Sequence, residues 1–386
     1  MKREKRKEKE GFDPRRILYI TFYLLLLTFL AGCKQDAAWK PGAPLPKEKL
    51  KIGVIHPNEI DSNSIYDYAH YMGTVEMQKN IGLEDSQIIR KINAYDDDPQ
   101  AAEIAMRDCI AEGANVIIAT SWGHMDICEK LAEEFPSVIF AHATGTKCND
   151  SNFTNYTTRN YQARYLSGIV AGLKTETGKV GFVAAWGKDN SEVTSGLNAF
   201  AIGVEEANPE AQVYVRVTHS WYDTLGETEA ANALIAAGCD VVAQHCNSPA
   251  PQSAAQRAGV WGIGYNSDMG ADAPDAVICS VVLIWGALYT RLIESIINAT
   301  FSPMPHYFGL AEGAVDITTP SVRLAAPGTE AAVEAARRRI LDENFNVFDG
   351  VLETNDGGTV GESGKTLSDE VILGGINWYY RTVIEL

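Results

Sequence analysis

From residue 51 onward the chain alternates short β-branched runs with amphipathic helical patterns, and this rhythm limits the fold more than any other feature. Strands are predicted at 51–56, 87–92, 115–120, 137–142, 179–185, 212–218, 240–245, 260–265 and 276–282. Helical periodicity fills the gaps at 99–112, 125–135, 161–175, 193–208, 227–237 and 249–258. A parallel neighbour is reached only through a crossover, so strand, helix and strand in succession imply parallel sheets covered by helices on both faces. The fold class is α/β. Four strands precede a long loop at 143–160 and at least four more begin at residue 179, which divides the chain into two doubly wound, parallel-sheet lobes. The expected organisation is a first lobe over 50–175, a second over 176–284, and a stretch at 285–386 that opens on a return crossover helix and completes the lobes. Within that last stretch the pattern at 330–343 is helical, and the Gly-rich segment 355–364 reads as a surface turn or hairpin.

The first 33 residues carry a different signal. Lys2, Arg3, Lys5, Arg6, Lys7, Lys9, Arg15 and Arg16 precede an apolar run at 17–30, which ends in Leu30-Ala31-Gly32-Cys33. A basic segment, a short apolar core and small residues before a cysteine form a secretory signal of the lipoprotein type, with Cys33 as the lipidation site. The apolar run is too short for a membrane span. Residues 34–49, with Pro41, Pro44 and Pro46, form a Pro-rich linker. The expected location is the extracytoplasmic face of the cell membrane, held by lipid. The chain has a net charge of −17, and residues 1–33 contribute +4, leaving −21 on the remainder. Such an acidic surface argues against nucleic acid as a partner. Cys109, Cys128, Cys148, Cys239, Cys246 and Cys279 form no CxxC pair, so neither a zinc site nor any other metal or cofactor is expected, and disulfide pairing stays open.

In open parallel sheets ligands bind beyond the carboxyl ends of the strands. Tyr66 and Tyr68 follow the first predicted strand, Trp122 the third and His142 the fourth; Trp186, Trp221, Tyr265, Gln244, Asn247, Asn266 and Asp268 follow strands of the second group. Each aromatic alone is as well explained by packing against a helix. Five of them at corresponding positions (Tyr66, Trp122, Trp186, Trp221, Tyr265) favour a cleft that grips a planar ring, its edge read by Gln244, Asn247, Asn266 and Asp268. Asp96-Asp97-Asp98 before Pro99 is a helix cap rather than a metal site. None of His56, His124, His142, His219 or His245 forms a metal-type pair, and His142 and His245 are polar cleft walls. The chain has no GxxxxGK[ST] loop and no GxSxG elbow, which removes nucleotide hydrolysis and the α/β-hydrolase reaction.

An ordered set of segments carries a more specific resemblance: Ile65-Tyr66-Asp67-Tyr68-Ala69-His70-Tyr71-Met72-Gly73-Thr74, Ala119-Thr120-Ser121-Trp122-Gly123, His142-Ala143-Thr144-Gly145, Arg164-Tyr165-Leu166-Ser167-Gly168, Gln244-His245-Cys246-Asn247-Ser248 and Gly264-Tyr265-Asn266-Ser267-Asp268-Met269. Together they resemble the basic membrane protein family of substrate-binding lipoproteins, also described as the purine nucleoside receptor or Med family, and within it the purine-base-binding branch. The resemblance implies a type I periplasmic-binding-protein fold, with a ligand cleft between two lobes joined by a three-stranded hinge. It also implies that Tyr66 stacks on the base, that Trp122 supplies a second aromatic, and that Asp268 bonds the ligand. The nucleoside-binding branch carries a lysine where this chain has Leu283, which favours a free base. Asn247 also departs from the Asp or Ser frequent in relatives. The implied function is a solute-binding protein of an ABC importer for a purine base or related nucleobase or nucleoside, with an ABC permease as partner and no catalytic residue. Two alternatives stay open. An exported nucleoside-hydrolysing enzyme would need an acidic cluster to hold a metal-bound water near the first strand, where Asp61 stands alone. A ligand sensor would use the same fold.

Overall fold

The structure, a computed structural model, describes residues 40–61, 64–342 and 345–386. The expected signal segment, Cys33 and the first part of the linker lie outside the described residues, as do Ser62 and Asn63. The first half of the described chain runs β1 (Ile52–Ile55), α1 (Ile65–Ile81), β2 (Ile88–Lys91), α2 (Pro99–Ala111), β3 (Val116–Ala119), α3 (Met125–Glu134), β4 (Ile139–Ala143), β5 (Phe153–Thr158) and α4 (Asn160–Lys174). It continues through β6 (Lys179–Ala184), α5 (Ser191–Ala207), β7 (Gln212–Val217), α6 (Thr224–Ala236), β8 (Val241–His245), α7 (Ala250–Ala258), β9 (Trp261–Asn266) and β10 (Val277–Leu283). The remainder is α8 (Trp285–Ile297), β11 (His306–Phe308), β12 (Val315–Ile317), α9 (Thr329–Leu341), β13 (Asp349–Glu353), β14 (Thr359–Thr366), α10 (Asp369–Gly374) and β15 (Val383–Glu385).

Two sheets result, ordered β11-β5-β4-β3-β1-β2 and β12-β10-β9-β8-β6-β7-β15, with β13 and β14 as a separate hairpin. Every pairing in the two large sheets is parallel except β10 with β12. The central strands are fully buried apolar runs, as in Val116–Ala119 and Val180–Ala184, because helices cover both faces. The Asp cap is as expected: Asp98 accepts from the backbone N–H of Gln100 and Ala101 ahead of Pro99.

Besides the short tail elements β11, β12, β15 and α10, two elements before the tail are absent from the sequence reading. β5 lies inside the long loop of 143–160; its polar residues are buried, and Thr154 donates to the carbonyl of Met304 at 2.7 Å. α1 begins at Ile65, where the strand-end loop was expected to continue. Its inner face carries Asp67, His70 and Thr74, so it lacks the apolar stripe by which a surface helix is recognised.

The crossing between sheets also comes one helix earlier than the 175/176 boundary. α4 packs on α5 and on β10 and β12, so the chain leaves the first sheet at Arg159. α8 returns to pack on α1, and β11 joins the first sheet before β12 joins the second. The three connections are bonded to one another: Arg159 N–H donates to Phe308 O at 2.7 Å and Ile284 N–H to Ala314 O at 2.8 Å. Glycines fix which helices pair. A methyl at Gly168 would stand 2.1 Å from Phe200 O, and one at Gly203 would stand 2.2 Å from Tyr165 O, so α4 and α5 touch backbone to backbone. The tail completes the second sheet through β15 on β7, and α9 lies on α4.

Gly168→Ala therefore forces α4 off α5 and is expected to lower the unfolding free energy by about 1–3 kcal/mol, measured by chemical denaturation; a change below about 0.5 kcal/mol would show that the helices do not meet there. His142 gives a second test. It is sealed beneath the first sheet's strand ends, and burial holds its imidazole down at about 4 against an ordinary 6.5. A lowered folded value means that the unfolded chain binds the extra proton, so this contribution is complete above pH 6.5 and is lost as pH falls toward 4. In that window the stability of His142→Gln is expected to fall less steeply than that of the natural chain, by about 1.4 kcal/mol per pH unit. Parallel slopes would contradict the assignment.

Candidate functional site

The strand order reverses between β1 and β3 in one sheet and between β6 and β8 in the other, and the crevices that bind ligands form beyond the carboxyl ends at such reversals. In the first lobe the N-terminal turns of α1 bring Tyr66 and His70 over this point. The Tyr66 hydroxyl donates to Thr120 O at 2.7 Å, and its ring meets His70 edge-on at 4.4 Å. His70 stacks on Trp285 at 4.1 Å, and its Nδ1 pairs with the Tyr289 hydroxyl, which in turn lies 3.1 Å from that of Tyr156. Asp67 organises the loop before α1. It accepts from the Asn58 amide and the Ser64 hydroxyl, each at 3.0 Å, and lies 3.8 Å from His56. Burial raises the Asp67 carboxyl and lowers the His56 imidazole to about 3.

The second lobe gathers another aromatic group. Trp186 and Trp221 meet at 6.3 Å, Trp221 and His245 at 6.2 Å, and His245 and Tyr265 at 4.1 Å. Arg164 of α4 is fully buried with its guanidinium 4.1 Å from the Tyr265 ring centre, and its Nη1 donates to Gln244 O at 2.8 Å. Glu192, in the first turn of α5, lies 4.0 Å from His245 Nε2, and burial raises its carboxyl. Ile65, next to Tyr66 at the start of α1, packs into the hydrophobic cluster of the second lobe, and α1 touches β9, so the two aromatic groups lie close to each other across the crevice. Buried polar atoms without partners include, in this group, Nε and Nη2 of Arg164, both ring nitrogens of His245, both amide atoms of Asn266 and the Trp186 indole nitrogen; Asn160 at the start of α4 and, in the first-lobe stack, His70 Nε2 and the Trp285 indole nitrogen are likewise unpartnered. Asn266 holds a positive φ of 70° at the end of β9, a strained position for a non-glycine residue.

The residues picked from sequence divide. Tyr66, Trp186, Trp221 and Asn266 stand in or beside these clusters. Trp122 lies in a 3₁₀ turn with 59 % of its surface exposed, and Tyr68 is 38 % exposed on α1. His142 spends its Nε2 on Lys147 O at 3.1 Å and packs on Phe153, so it braces the loop after β4. Gln244 points into the core, where its amide donates to Cys246 O and Ser248 O and accepts from Gln252. Asn247 bonds through its backbone to Trp221 O at 2.8 Å, and the exposed Asp268 accepts from the Gly270 N–H at 2.9 Å. Arg164, Glu192, Asn160, His70 and Trp285 were not among the sequence candidates. Arg164 had a readable signal, a lone cation in a helix whose residues 163–172 are otherwise apolar, small or aromatic. Glu192 had none, since an acid in a first helical turn is ordinary dipole pairing. Among the described residues no group of three or more His, Cys, Asp or Glu side chains is placed to hold a metal ion.

Comparison with known proteins agrees with this architecture. Residues 49–340 match the family described as ABC transporter substrate-binding protein, PnrA-like. A purine-binding protein of Brucella abortus is 31 % identical over 350 residues, covering 89 % of this chain and 95 % of that protein. A Haloferax volcanii protein named as an ABC transporter glucose-binding protein is 31 % identical over 311 residues, 80 % of this chain and 76 % of that one. In structure, an ABC transporter solute-binding protein from Conexibacter woesei superposes with a TM-score of 0.64 at 24 % identity, over 77 % of this chain and 98 % of its own. The two-lobed α/β fold is thus the type I periplasmic-binding-protein fold, and the chain belongs to the PnrA-like family of ABC transporter substrate-binding proteins.

Proposed function

We propose that this protein is the lipid-anchored solute-binding component of an ABC importer and that it encloses a purine base between its lobes. The observation that carries the reading is the opposition of two aromatic groups, Tyr66, His70 and Trp285 against Trp186, Trp221 and Tyr265, with unpartnered polar atoms of Arg164, His245 and Asn266 beside them. Aromatic faces take a planar ring and exclude water, and the polar atoms bond its edge. The Brucella relative named purine-binding aligns over nearly the whole of both chains. Leu283, which is buried where the nucleoside-binding branch carries a lysine, favours a base without its sugar.

Hinge closure would be the working step. The ligand stabilises the closed arrangement through its greater affinity for it, and the closed form docks on a permease driven by separate ATPases. The ligand leaves unchanged. Acyl chains on Cys33 would hold the domain beside that permease and raise its effective concentration there.

A thermal-shift screen over purine bases, nucleosides, glucose and amino acids is expected to single out a purine base, with about 2.7 kcal/mol of added stability at a hundredfold excess over its dissociation constant. A shift with glucose and none with any purine would overturn the assignment. With the purine identified, Tyr66→Ala is expected to weaken binding by about 1–3 kcal/mol, the range for lost stacking on a base. Trp122→Ala, at an exposed position, is expected to weaken binding without lowering the melting temperature; unchanged affinity would remove Trp122 from the site. Cys33→Ala is expected to move the protein from the membrane fraction to the soluble one, and continued membrane retention would contradict lipidation at Cys33.

A further inference from the structure

The second lobe sets one fully buried cation, Arg164, and one carboxyl, Glu192, beside the crevice. The Arg164 cation is held by a hydrogen bond to Gln244 O, by the Tyr265 side chain, whose ring lies at 4.1 Å and whose hydroxyl also acts on it, and by the Phe182 ring at 5.3 Å. No carboxylate lies within ion-pair distance of it among the described residues, although Glu192 is near enough to act on it electrostatically. A desolvated cation with this little compensation is costly unless a further partner completes it. The two unpartnered donors, Nε and Nη2, lie on one edge of the guanidinium and point in parallel. Such a fork is complementary to two adjacent acceptors.

Three ligand chemistries present adjacent acceptors: a carboxylate, a phosphate, and the O6/N7 edge of a 6-oxopurine. The first two are anions and would bring their charge beside Glu192. A neutral oxopurine has no such penalty, and its flat faces suit the aromatic groups. Its N1–H, adjacent to O6, is the donor that Glu192 lacks. The gap between Arg164 and Glu192, too wide for a direct ion pair, is where that edge would insert.

Resting on the purine reading, we infer that Arg164 is a ligand-binding residue that donates from Nε and Nη2 to the O6 and N7 of a 6-oxopurine, while Glu192 accepts from N1–H. A 6-aminopurine turns its exocyclic N–H toward the same fork and is disfavoured by opposed donors.

Calorimetry with hypoxanthine, guanine, adenine and 7-deazahypoxanthine on the intact domain, with Arg164→Met and Glu192→Leu beside it, tests the assignment. The natural chain is expected to prefer hypoxanthine and guanine over adenine, and to bind 7-deazahypoxanthine about tenfold more weakly than hypoxanthine, since that analogue lacks the N7 acceptor. Arg164→Met, a shape-preserving change that removes the buried charge, is expected to weaken oxopurine binding about tenfold to a hundredfold, to erase the preference over adenine and to bind the deaza analogue and hypoxanthine alike. A merely structural arginine would lower affinity for all four ligands together and leave the deaza ratio intact, which would overturn the inference. Adenine binding to the natural chain as tightly as hypoxanthine would overturn it too, while purine binding itself stood. If the natural chain binds none of the four, the purine reading falls and the edge assignment with it. Glu192→Leu, which has no acceptor, gives an independent arm: an unchanged hypoxanthine affinity would remove Glu192 from the edge.

Discussion

Parallel strand pairing dictates where a protein of this kind can do its work. Strands joined by crossover helices must be covered on both faces, which leaves the sheet surfaces closed to any ligand and only the carboxyl ends free. Both large sheets obey that constraint, and the single antiparallel partner, β12, sits at an edge. Each sheet reverses its strand order once near its middle, and it is there that Tyr66, Thr120, Trp186 and His245 end up. The three bonded connections at Arg159, Ile284 and Ala314 then set the two crevices opposite each other.

The two lobes present different chemistry to that space. The first bonds most of its polar groups within itself, with Tyr66 bonded to Thr120 and His70, Tyr289 and Tyr156 bonded in series, and leaves His70 Nε2 and the Trp285 indole nitrogen without partners. It is a stiff aromatic wall. The second lobe holds the unpartnered donors and acceptors of Arg164, His245 and Asn266. Each such atom left unmade costs about 1–3 kcal/mol, a cost that a ligand edge removes when it bonds there. In the proposed reading the first lobe contributes contact area and the second contributes selection, so changes in the second should alter which ligand is preferred more than how large a ligand fits.

Most of the architecture was legible because buried parallel strands are apolar runs of distinctive length and their helices carry period. β5 and α1 were not, and for one reason: both bury polar side chains, Thr154 and Asn155 in the strand and Asp67, His70 and Thr74 in the helix, so neither shows an apolar pattern, and Thr154 and His70 find their partners far along the chain, in Met304 and Tyr289. The lobe boundary shifted by one helix because the glycine contacts between α4 and α5 are long-range geometry with no local mark. In the crevice, the paired aromatics Trp186 and Trp221 could be read from their places after strands. Gln244 could not be excluded that way, since alternation along β8 places it on one face and His245 on the other, and only the Gln252 contact shows which face is core. Glu192 and Asn160 come together with Arg164 only once α4 is known to belong to the second lobe.

The central claim is that one ligand is held by both lobes at once. Small-angle X-ray scattering of the soluble domain, with and without a saturating purine base whose binding calorimetry has established, measures this most directly. The account predicts a smaller radius of gyration with the base bound, as the lobes close around it. Saturated binding with an unchanged scattering curve would place the base on one lobe alone and contradict the account.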